Sequence, residues 1–440
     1  MKPSTKVLVS ALMSAGLVTL AACGKQEEPK PAAAPAAPAE PTVTVKIASI
    51  APLTKKTPHL GKDNENGVRL ALDEANAAKL KLDGKTAKFE IMGEDDEGDP
   101  KVGTTVAQKV VDAKVAAVIG HLNSGVTIPS SEITSKNGIP LVSGSATNPA
   151  VTERGLKGVF RTVGRDDQQG PALATYVANE LKAKKVALID DKTAYGEGLR
   201  GEVEKKLKEM KVAVVDKHTT TDTDTDFKAI LTKIKAKNPD VIFHGGMDQT
   251  GGPMVKQARE LGIKAIFVFG DGACTDEMGK LAGNANAEGL VCSQAGLPRE
   301  AASPEFTKAF TAKYGEIKQY SPYTYDATRA VIEAMKKAGS ADPAKFGPEI
   351  HNVSFTGATG KVEFDAKGDR KDAEITIFKM KDGKVVPEAV IKGGVSTKFN
   401  LPQPAQPAAA APAAAPAPAA APAPAAAPAK DAKPAEAPKK

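Results

Sequence analysis

The chain has 440 residues and a formal net charge of +7, with 26% charged residues, 4% aromatic residues and no tryptophan. Its two ends, described below, carry +3 of this charge, so the part between them carries +4, with lysine and glutamate interspersed. A charge this small and evenly mixed forms no basic face. We therefore expect no nucleic-acid partner.

Residues 1–22 have the pattern of a lipoprotein-type secretory signal peptide. Lys2 and Lys6 form a positive N-terminal region before an apolar run over residues 7–20, which is 14 residues long. That run is shorter than the roughly 20 residues a transmembrane helix needs. It ends in Leu20-Ala-Ala-Cys23, which resembles a lipobox and predicts cleavage before Cys23 and a lipid on its thiol. An ordinary signal peptide with an incidental cysteine is the alternative.

We therefore expect an exported protein in the periplasm, anchored to a membrane by its N-terminal lipid. Gly24 follows Cys23, and no aspartate is present there to favour the inner membrane. The outer membrane is thus the favoured location if the cell is Gram-negative. Segments 23–42 and 401–440 are rich in alanine and proline. Such segments bury too little apolar surface to fold, which predicts a linker and a disordered tail.

Between these ends, short apolar runs alternate with amphipathic segments. The first series predicts strands at 45–51, 88–92, 115–122 and 139–144, and helices at 65–78, 100–113 and 125–136. The second predicts strands at 185–190, 212–216, 241–244 and 265–269, and helices at 170–181, 198–210, 227–236 and 253–261. This alternation indicates parallel sheets with right-handed crossovers. About 360 residues exceed a single core, so we predict an α/β protein with two doubly wound, Rossmann-like lobes that break near 161–164 and face a ligand cleft.

Hydroxyl residues follow two neighbouring strands of the first series. Ser124 comes after the apolar run that ends at Leu122, and Thr147 comes after the next run. Ligands of open α/β sheets bind outside the carboxyl ends of the strands, where helix N-termini favour an anion. Ser124 and Thr147 are therefore candidates for holding a small carboxylate. The alternative is that they only cap helices.

No pattern indicates catalysis, a metal or a cofactor. The five histidines have no metal-binding spacing, and there is no Gly-x-Ser-x-Gly or Walker A motif. Gly196-Glu-Gly198-Leu-Arg-Gly201 fits a dinucleotide fingerprint, but the strand ends near Asp190-Asp191 and the four residues Lys-Thr-Ala-Tyr lie between them. We therefore expect these glycines in a loop that leads into a helix, and we expect a protein that is not an enzyme.

With Cys23 assigned to lipidation, Cys274 and Cys292 remain as an even pair in an exported chain. This arithmetic favours a disulfide. Two unpaired, buried thiols are the alternative.

A series of motifs in a characteristic order resembles the leucine/isoleucine/valine-binding proteins of bacterial ABC transporters. The motifs are Gly120-His-Leu122, Asn148-Pro149, Arg161-Thr162, Asp167-Gln-Gln-Gly170, Asp191-Lys192, Tyr195-Gly-Glu-Gly198, Gln257-Ala-Arg259, Phe364-Asp365 and Gly368-Asp369. The resemblance implies the type I periplasmic-binding-protein fold, in which the chain crosses between the lobes three times. It places lobe one at 43–163 and 293–370, and lobe two at 164–292 and 371–400.

The resemblance also implies a ligand site for a free α-amino acid. Ser124 matches a serine that holds the ligand carboxylate, and Thr147 matches a threonine that adds further donors. Ser145 matches a residue whose carbonyl accepts from the ligand ammonium, and Ala146 lies in the same Ser-Ala-Thr turn. Asp271 matches the acid that pairs with the ammonium, where the family has glutamate. Several neutral donors at one end of the site and a carboxylate at the other would suit a zwitterion.

Five further positions are expected to surround the ligand side chain. Tyr195 and Tyr320 match aromatic positions of the cleft, whereas Leu60 and Met247 stand where the family has tyrosines. These apolar residues suit leucine, isoleucine or valine, but Asn123 would suit a polar side chain. We expect a monomeric binding lipoprotein that delivers an amino acid, with branched-chain ligands favoured, to an ABC permease. The alternatives are an envelope scaffold or regulator that reuses the fold, or a binder of amides or other small carboxylates.

Overall fold

A computed structural model describes residues 40–400 of the chain. The predicted signal peptide, the lipidation at Cys23, nearly all of the first linker and the C-terminal tail lie outside these residues. Across residues 40–400, no helix combines the length and apolarity needed to cross a bilayer.

The described part is an α/β structure. Its strands are β1 Thr42–Ala51, β2 Lys81–Leu82, β3 Lys85–Asp95, β4 Ala117–Gly120, β5 Leu141–Ser143, β6 Val159–Arg161, β7 Lys185–Asp190, β8 Ala213–Thr219, β9 Val241–Gly245, β10 Ile266–Phe269, β11 Val291–Gln294, β12 Ser354–Gly357, β13 Gly360–Glu363, β14 Ile375–Lys381, β15 Lys384–Lys392 and β16 Val395–Lys398. Its helices are α1 Pro58–Ala77, α2 Pro100–Asp112, α3 Ser124–Lys136, α4 Asp166–Asn179, α5 Ala194–Glu209, α6 Lys228–Lys237, α7 Asp248–Glu260, α8 Glu277–Ala282, α9 Asn284–Ala287, α10 Pro304–Tyr314, α11 Ser321–Ala338 and α12 Pro343–Phe346.

The strands form two large sheets and one hairpin. The first sheet has the order β2-β3-β1-β4-β5-β6, and all its pairs are parallel except β2 with β3. The second has the order β16-β15-β14-β11-β10-β9-β7-β8, and its pairs from β11 to β8 are parallel. Strands β14, β15 and β16 extend it in antiparallel fashion. The predicted α/β class with two doubly wound sheets is confirmed.

Both faces of the first sheet are buried, as its continuous apolar strands require. Along β1, Val45 and Ile47 pack in one apolar cluster with residues of α1 and α11. Ala48 and Ile50 point to the other face and pack with residues of α2. Because α11 follows the parallel strands of the second sheet along the chain, the polypeptide returns to complete the first core.

Several helices begin earlier than the apolar periodicity predicts. Helix α4 begins four residues before the predicted start, and α5 also begins four residues early. Their first turns face the rim of the sheet rather than the core and are polar and glycine-rich. They therefore show no apolar periodicity from which the helix start could be predicted. These first turns contribute several of the site residues described below.

The expectation that Gly196, Gly198 and Gly201 lie in a loop is wrong, because all three lie within α5. Thr193 caps this helix, and its hydroxyl accepts from the Gly196 N–H at 3.0 Å. A Cβ at Gly196 would lie 2.3 Å from the Gly245 carbonyl oxygen. This glycine therefore serves the close packing of α5 against β9.

The disulfide between Cys274 and Cys292 is present, with the two Cα atoms 5.3 Å apart. It joins the turn after β10 to strand β11.

Replacing both cysteines with serine is expected to lower the free energy of unfolding by about 3 kcal/mol. The reason is that the cross-link, between residues 18 positions apart, no longer restricts the unfolded chain. Urea unfolding followed by circular dichroism measures this. The fully reduced wild type should match the variant, and an unchanged midpoint in both would contradict the prediction.

Candidate ligand site between the two sheets

The carboxyl ends of the parallel strands in the two sheets face one another across a narrow cleft. Direct contacts join the two rims. Lys56 Nζ, before α1, lies 2.6 Å from Asp222 Oδ2, beyond β8. His59 Nε2, in α1, lies 2.8 Å from Asp248 Oδ2, at the start of α7. The structure therefore shows the two rims in contact, with the predicted site residues between them.

Ser124 and Thr147 follow the neighbouring strands β4 and β5 at the first rim, and both are buried. Ser124 is the first residue of α3, directly after the loop that follows β4. Its Oγ accepts from the backbone N–H of Asn148 at 3.2 Å, so the loop with Thr147 is joined to the start of α3. A hydroxyl, a second hydroxyl and a helix N-terminus thus converge at one place, which is the chemistry a carboxylate requires.

Arg161 holds the loop with Thr147 from behind. This side chain is fully buried at the end of β6. Its Nη1 donates to the carbonyl oxygens of Ala146 and Asn148 at 2.8 and 2.9 Å, one on each side of Thr147. Its Nε donates to Asp369 Oδ1 at 2.6 Å. This role was not predicted from the sequence, although an arginine at the end of an apolar strand, Val159-Phe-Arg161, is a usable signal.

Ser145 lies in the same loop and is tied to its surroundings through its side chain. Its Oγ donates to the Leu122 carbonyl at 3.1 Å, and the Asn64 amide donates to it at 3.3 Å. The hydroxyl is therefore engaged within the protein. The expected role of Ser145, which is to accept a hydrogen bond from the ligand ammonium, would therefore fall to its backbone carbonyl.

Asp271 follows β10 and is fully buried in the second rim. Its Oδ1 accepts from the Tyr195 hydroxyl at 2.9 Å and from Gln169 Nε2 at 3.0 Å, and its Oδ2 accepts from the Tyr320 hydroxyl at 2.8 Å. Burial raises the pKa of Asp271, and the hydrogen bonds from Gln169, Tyr320 and Tyr195 oppose that shift. Three of the predicted residues, Tyr195, Asp271 and Tyr320, are thus brought together in one cluster.

Two glutamines that the sequence analysis missed fix the backbone at Asp271. Gln169 Oε1 accepts from the Asp271 N–H at 3.1 Å and from Ser293 Oγ at 2.8 Å. Gln319 Nε2 donates to the Asp271 carbonyl at 2.8 Å. The acid therefore has little freedom to turn away from the cleft. Gln169 lies in the Asp167-Gln-Gln-Gly170 motif, which had supported the resemblance without a role being assigned.

Asp166, the first residue of α4, is a second buried carboxylate at the site. Burial is the main cause that raises its pKa to about 8, and the nearby Asp271 adds to this shift, whereas the Thr147 hydroxyl and Arg161 oppose it. At neutral pH this side chain is therefore largely protonated. It was not predicted from the sequence, because the apolar periodicity placed the start of this helix at residue 170, four residues after Asp166.

The raised pKa of Asp166 makes stability depend on pH. The unfolded chain releases this proton near pH 4 and the folded chain near pH 8, so stability falls as pH rises through that window. Asp166→Asn removes the effect. The free energy of unfolding of the variant minus that of the wild type should increase by a few kcal/mol between about pH 5 and pH 8.5. Urea titrations across this range measure it, with the exposed Asp226→Asn as control. A difference that is independent of pH would contradict the assignment.

The remaining predicted residues lie around Tyr195. Leu60 and Met247 are buried in the apolar cluster that also contains Tyr195 and Tyr320. Asn123, Tyr195 and Met247 line one cavity of about 420 Å³ between the two rims. The structure therefore places all of the predicted ligand-site residues in one region, which offers donors for a carboxylate, a buried carboxylate for a cation and apolar walls between them.

Comparison with known proteins agrees with this architecture. The family model described as "Periplasmic binding protein" matches residues 44–384. The chain is 37% identical over 334 residues to "Leu/Ile/Val-binding protein homolog 1" of Brucella abortus, covering 76% of this chain and 89% of that protein. It is 36% identical over 341 residues to "Amino acid binding protein" of Pseudomonas aeruginosa, covering 77% of this chain and 90% of that protein.

Solved structures show the same fold. The leucine binding protein LivK of Thermotoga maritima has a TM-score of 0.74 at 30% identity, covering 79% of this chain and 99% of that one. The branched-chain amino acid transporter substrate binding protein LivJ of Streptococcus pneumoniae, solved with isoleucine, has a TM-score of 0.71 at 29% identity, covering 81% of this chain and all of that one. These relatives are binding proteins rather than enzymes. The chain belongs to the periplasmic binding protein family, within its branched-chain amino-acid-binding members, and has the type I fold.

Proposed function

We propose that this protein binds a free amino acid, with leucine, isoleucine and valine favoured, in the cleft between the two sheets. The observation that carries the proposal is Asp271, a fully buried carboxylate in the rim opposite Ser124 and Thr147, which accepts from Gln169, Tyr195 and Tyr320. A buried carboxylate without a cation is costly, and a ligand ammonium supplies one. The names of the relatives, and the isoleucine in the LivJ structure, support an aliphatic side chain.

Closure of two lobes on the ligand follows from this arrangement. We propose lobe one at 43–163 with 293–370, and lobe two at 164–292 with 371–400. The ligand carboxylate would be held by the first lobe and its ammonium by the second, so the ligand stabilises the closed form over the open form. The contacts Lys56–Asp222 and His59–Asp248 join these two lobes and would form on closure.

We further propose that the protein is a monomer that hands its ligand to an ABC permease and is tethered by a lipid on Cys23. Membership of a family of periplasmic binding proteins supports an extracytoplasmic site of action. The Leu20-Ala-Ala-Cys23 sequence supports the lipid. Mass spectrometry of the N-terminal peptide tests it: a diacylglyceryl mass on Cys23 supports the tether, and an unmodified thiol would overturn it.

Isothermal titration calorimetry tests the binding function. The chain from Gly24 onward, which retains every described residue, is unfolded, dialysed and refolded to remove any bound ligand. It is then titrated with the free amino acids one at a time. Micromolar or tighter binding of an aliphatic amino acid supports the proposal. The absence of heat with every amino acid, from protein that melts cooperatively, would refute it.

A further inference from the structure

The contact between His59 and Asp248 joins the two rims through a group that titrates near neutral pH. His59 lies in the first turn of α1, and Asp248 is the first residue of α7. The distance from Nε2 of the histidine to Oδ2 of the aspartate is 2.8 Å. In the arrangement proposed above, α1 belongs to lobe one and α7 to lobe two. Because histidine has an ordinary pKa of about 6.5, the charge on this contact can change within the physiological range of pH.

Asp248 depends on His59 for a cation. The side chain of Asp248 is 0% exposed, whereas that of His59 is 26% exposed. Asp248 Oδ2 also accepts from the Thr275 hydroxyl at 2.7 Å, and Oδ1 has no hydrogen-bond partner among residues 40–400. Within the same range, no lysine or arginine forms an ion pair with this carboxylate. A buried carboxylate without a cation is costly, so protonated His59 stabilises Asp248, and it can do so only while the rims are in contact.

The charged groups that act on His59 are acids from three helices. They are Asp248 of α7, Glu277 of α8 and Asp63 of α1 itself. Glu277 is paired with Lys280 at 2.8 Å, and Asp63 accepts from backbone N–H groups at the start of α11. Burial lowers the pKa of His59, but the hydrogen bond with Asp248 and these negative charges outweigh burial and raise the pKa above its ordinary value. When the lobes part, Asp248 and Glu277 move away with lobe two, and the pKa returns towards that ordinary value.

We propose, on the basis of the lobe closure proposed above, that His59 and Asp248 form a pH-sensitive latch between the two lobes. When His59 is protonated, the latch is an ion pair, whereas a neutral His59 can keep only a hydrogen bond from its ring N–H, without the attraction between opposite charges. The ligand binds with closure of the lobes, so whatever stabilises the closed form over the open form also strengthens ligand binding. The latch therefore links ligand affinity to pH through residues that need not touch the ligand.

Acid strengthens the latch. Since the pKa of His59 is higher in the closed form than in the open form, the latch favours closure most below about pH 6.5, where the histidine is protonated in both forms. This contribution is lost as pH rises through the raised pKa of the closed form. Asp166 also titrates in this range, with a pKa of about 8, so the pH dependence of the wild type contains both effects. A comparison of variants at each pH isolates the effect of His59.

His59→Gln tests the latch, because glutamine retains an N–H donor but cannot take up a proton in this range. Calorimetry measures its Kd and that of the refolded wild type for the amino acid of the panel above that binds most tightly. The Kd of the variant divided by that of the wild type should be at least about threefold larger at about pH 5.5 than at about pH 8.5. His351→Gln is the matched control, since His351 is exposed, lies before β12 and packs against Phe160 of the first sheet. Its ratio should stay at roughly one at both pH values.

Asp248→Asn provides a second variant that removes the charge on the partner. The same dependence on pH should be lost in this variant, which keeps the test open if His59→Gln does not melt like the wild type. Adding His59→Gln to Asp248→Asn should change the Kd by the same factor at both pH values. A pH-dependent factor in the double variant would show that His59 acts through a different group and would overturn the latch.

The number of protons taken up on binding separates the latch from a purely structural role of His59. Calorimetry at neutral pH in phosphate and in Tris, two buffers with different ionisation enthalpies, measures this number. The wild type should take up more protons than His59→Gln. If proton uptake is equal and the ratio of Kd values does not change with pH, the latch is overturned and the amino-acid-binding function stands. If no amino acid binds, the binding function fails, and the latch fails with it.

Discussion

Asp271→Asn is expected to weaken amino-acid binding by about 2–5 kcal/mol, which is roughly 30-fold to several thousandfold in Kd. The asparagine side chain keeps the size of the aspartate. Its single oxygen can still accept from Gln169 and Tyr195, while its NH2 group would face the Tyr320 hydroxyl, which can rotate to accept from it. The asparagine has no charge, however, so the ligand ammonium would be buried without a counter-ion. Calorimetry with the best amino acid of the panel measures the loss. Tyr195→Phe removes one donor and keeps the carboxylate, so it should cost less.

The control for this prediction is Asp226→Asn, which removes an exposed carboxylate that lies outside the site. It should bind like the wild type. Circular dichroism and thermal melting of each variant separate loss of binding from loss of structure. If Asp271→Asn binds the ligand as tightly as the control does, the ammonium site lies elsewhere and the residue assignment fails.

Arg161→Met is expected to lower the free energy of unfolding by about 3–5 kcal/mol. The guanidinium is fully buried and donates to Asp369, to two carbonyl oxygens beside Thr147 and to the Thr152 hydroxyl. Methionine fills much of the volume but leaves these acceptors without a donor. Denaturant unfolding measures the loss, and ligand affinity should also fall because the loop with Thr147 is released.

Arg154→Met is the matched control. Arg154 donates to the carbonyl oxygens of Ala150 and Ile128, but its side chain is 21% exposed and water can replace it. The substitution should therefore cost about 1 kcal/mol or less. Equal losses in the two variants would show that the full burial of Arg161 adds nothing to what a partly exposed arginine contributes.

The rim of the first sheet could be predicted from local patterns alone. An apolar run that stops at a polar residue marks the end of a strand, and the two runs before Ser124 and Thr147 are parallel neighbours. The second rim required the family resemblance, because a Gly-Asp-Gly turn such as that at Asp271 is common in loops. No local pattern distinguishes it from a turn without function.

The residues that were missed act across long separations in the chain. Arg161 and Asp369 are 208 residues apart, and Gln169 and Asp271 are 102 apart. The separation of the two residues in the chain gives no indication, in a single sequence, that either pair is in contact. Asp166 was missed for a different reason, since it precedes the predicted start of its helix at residue 170 and nothing in the sequence indicates that its carboxylate is buried. The sequence therefore predicts strands and their ends, whereas tertiary contacts determine which polar side chains share a site.

The return of the chain to the first sheet has a consequence for the order of folding. Helix α11 completes the apolar core against α1 and β1, and Asp63 of α1 accepts from the backbone N–H groups of Gln319, Tyr320 and Ser321, about 256 residues later. In a nascent chain that has emerged only as far as β11, α1 is present but α11 is not, so the face of the first sheet that these two helices share is only partly covered. Contacts of such high sequence separation make folding slow and leave apolar surface open to chaperones or to aggregation. The last quarter of the described chain therefore determines when the first quarter can fold.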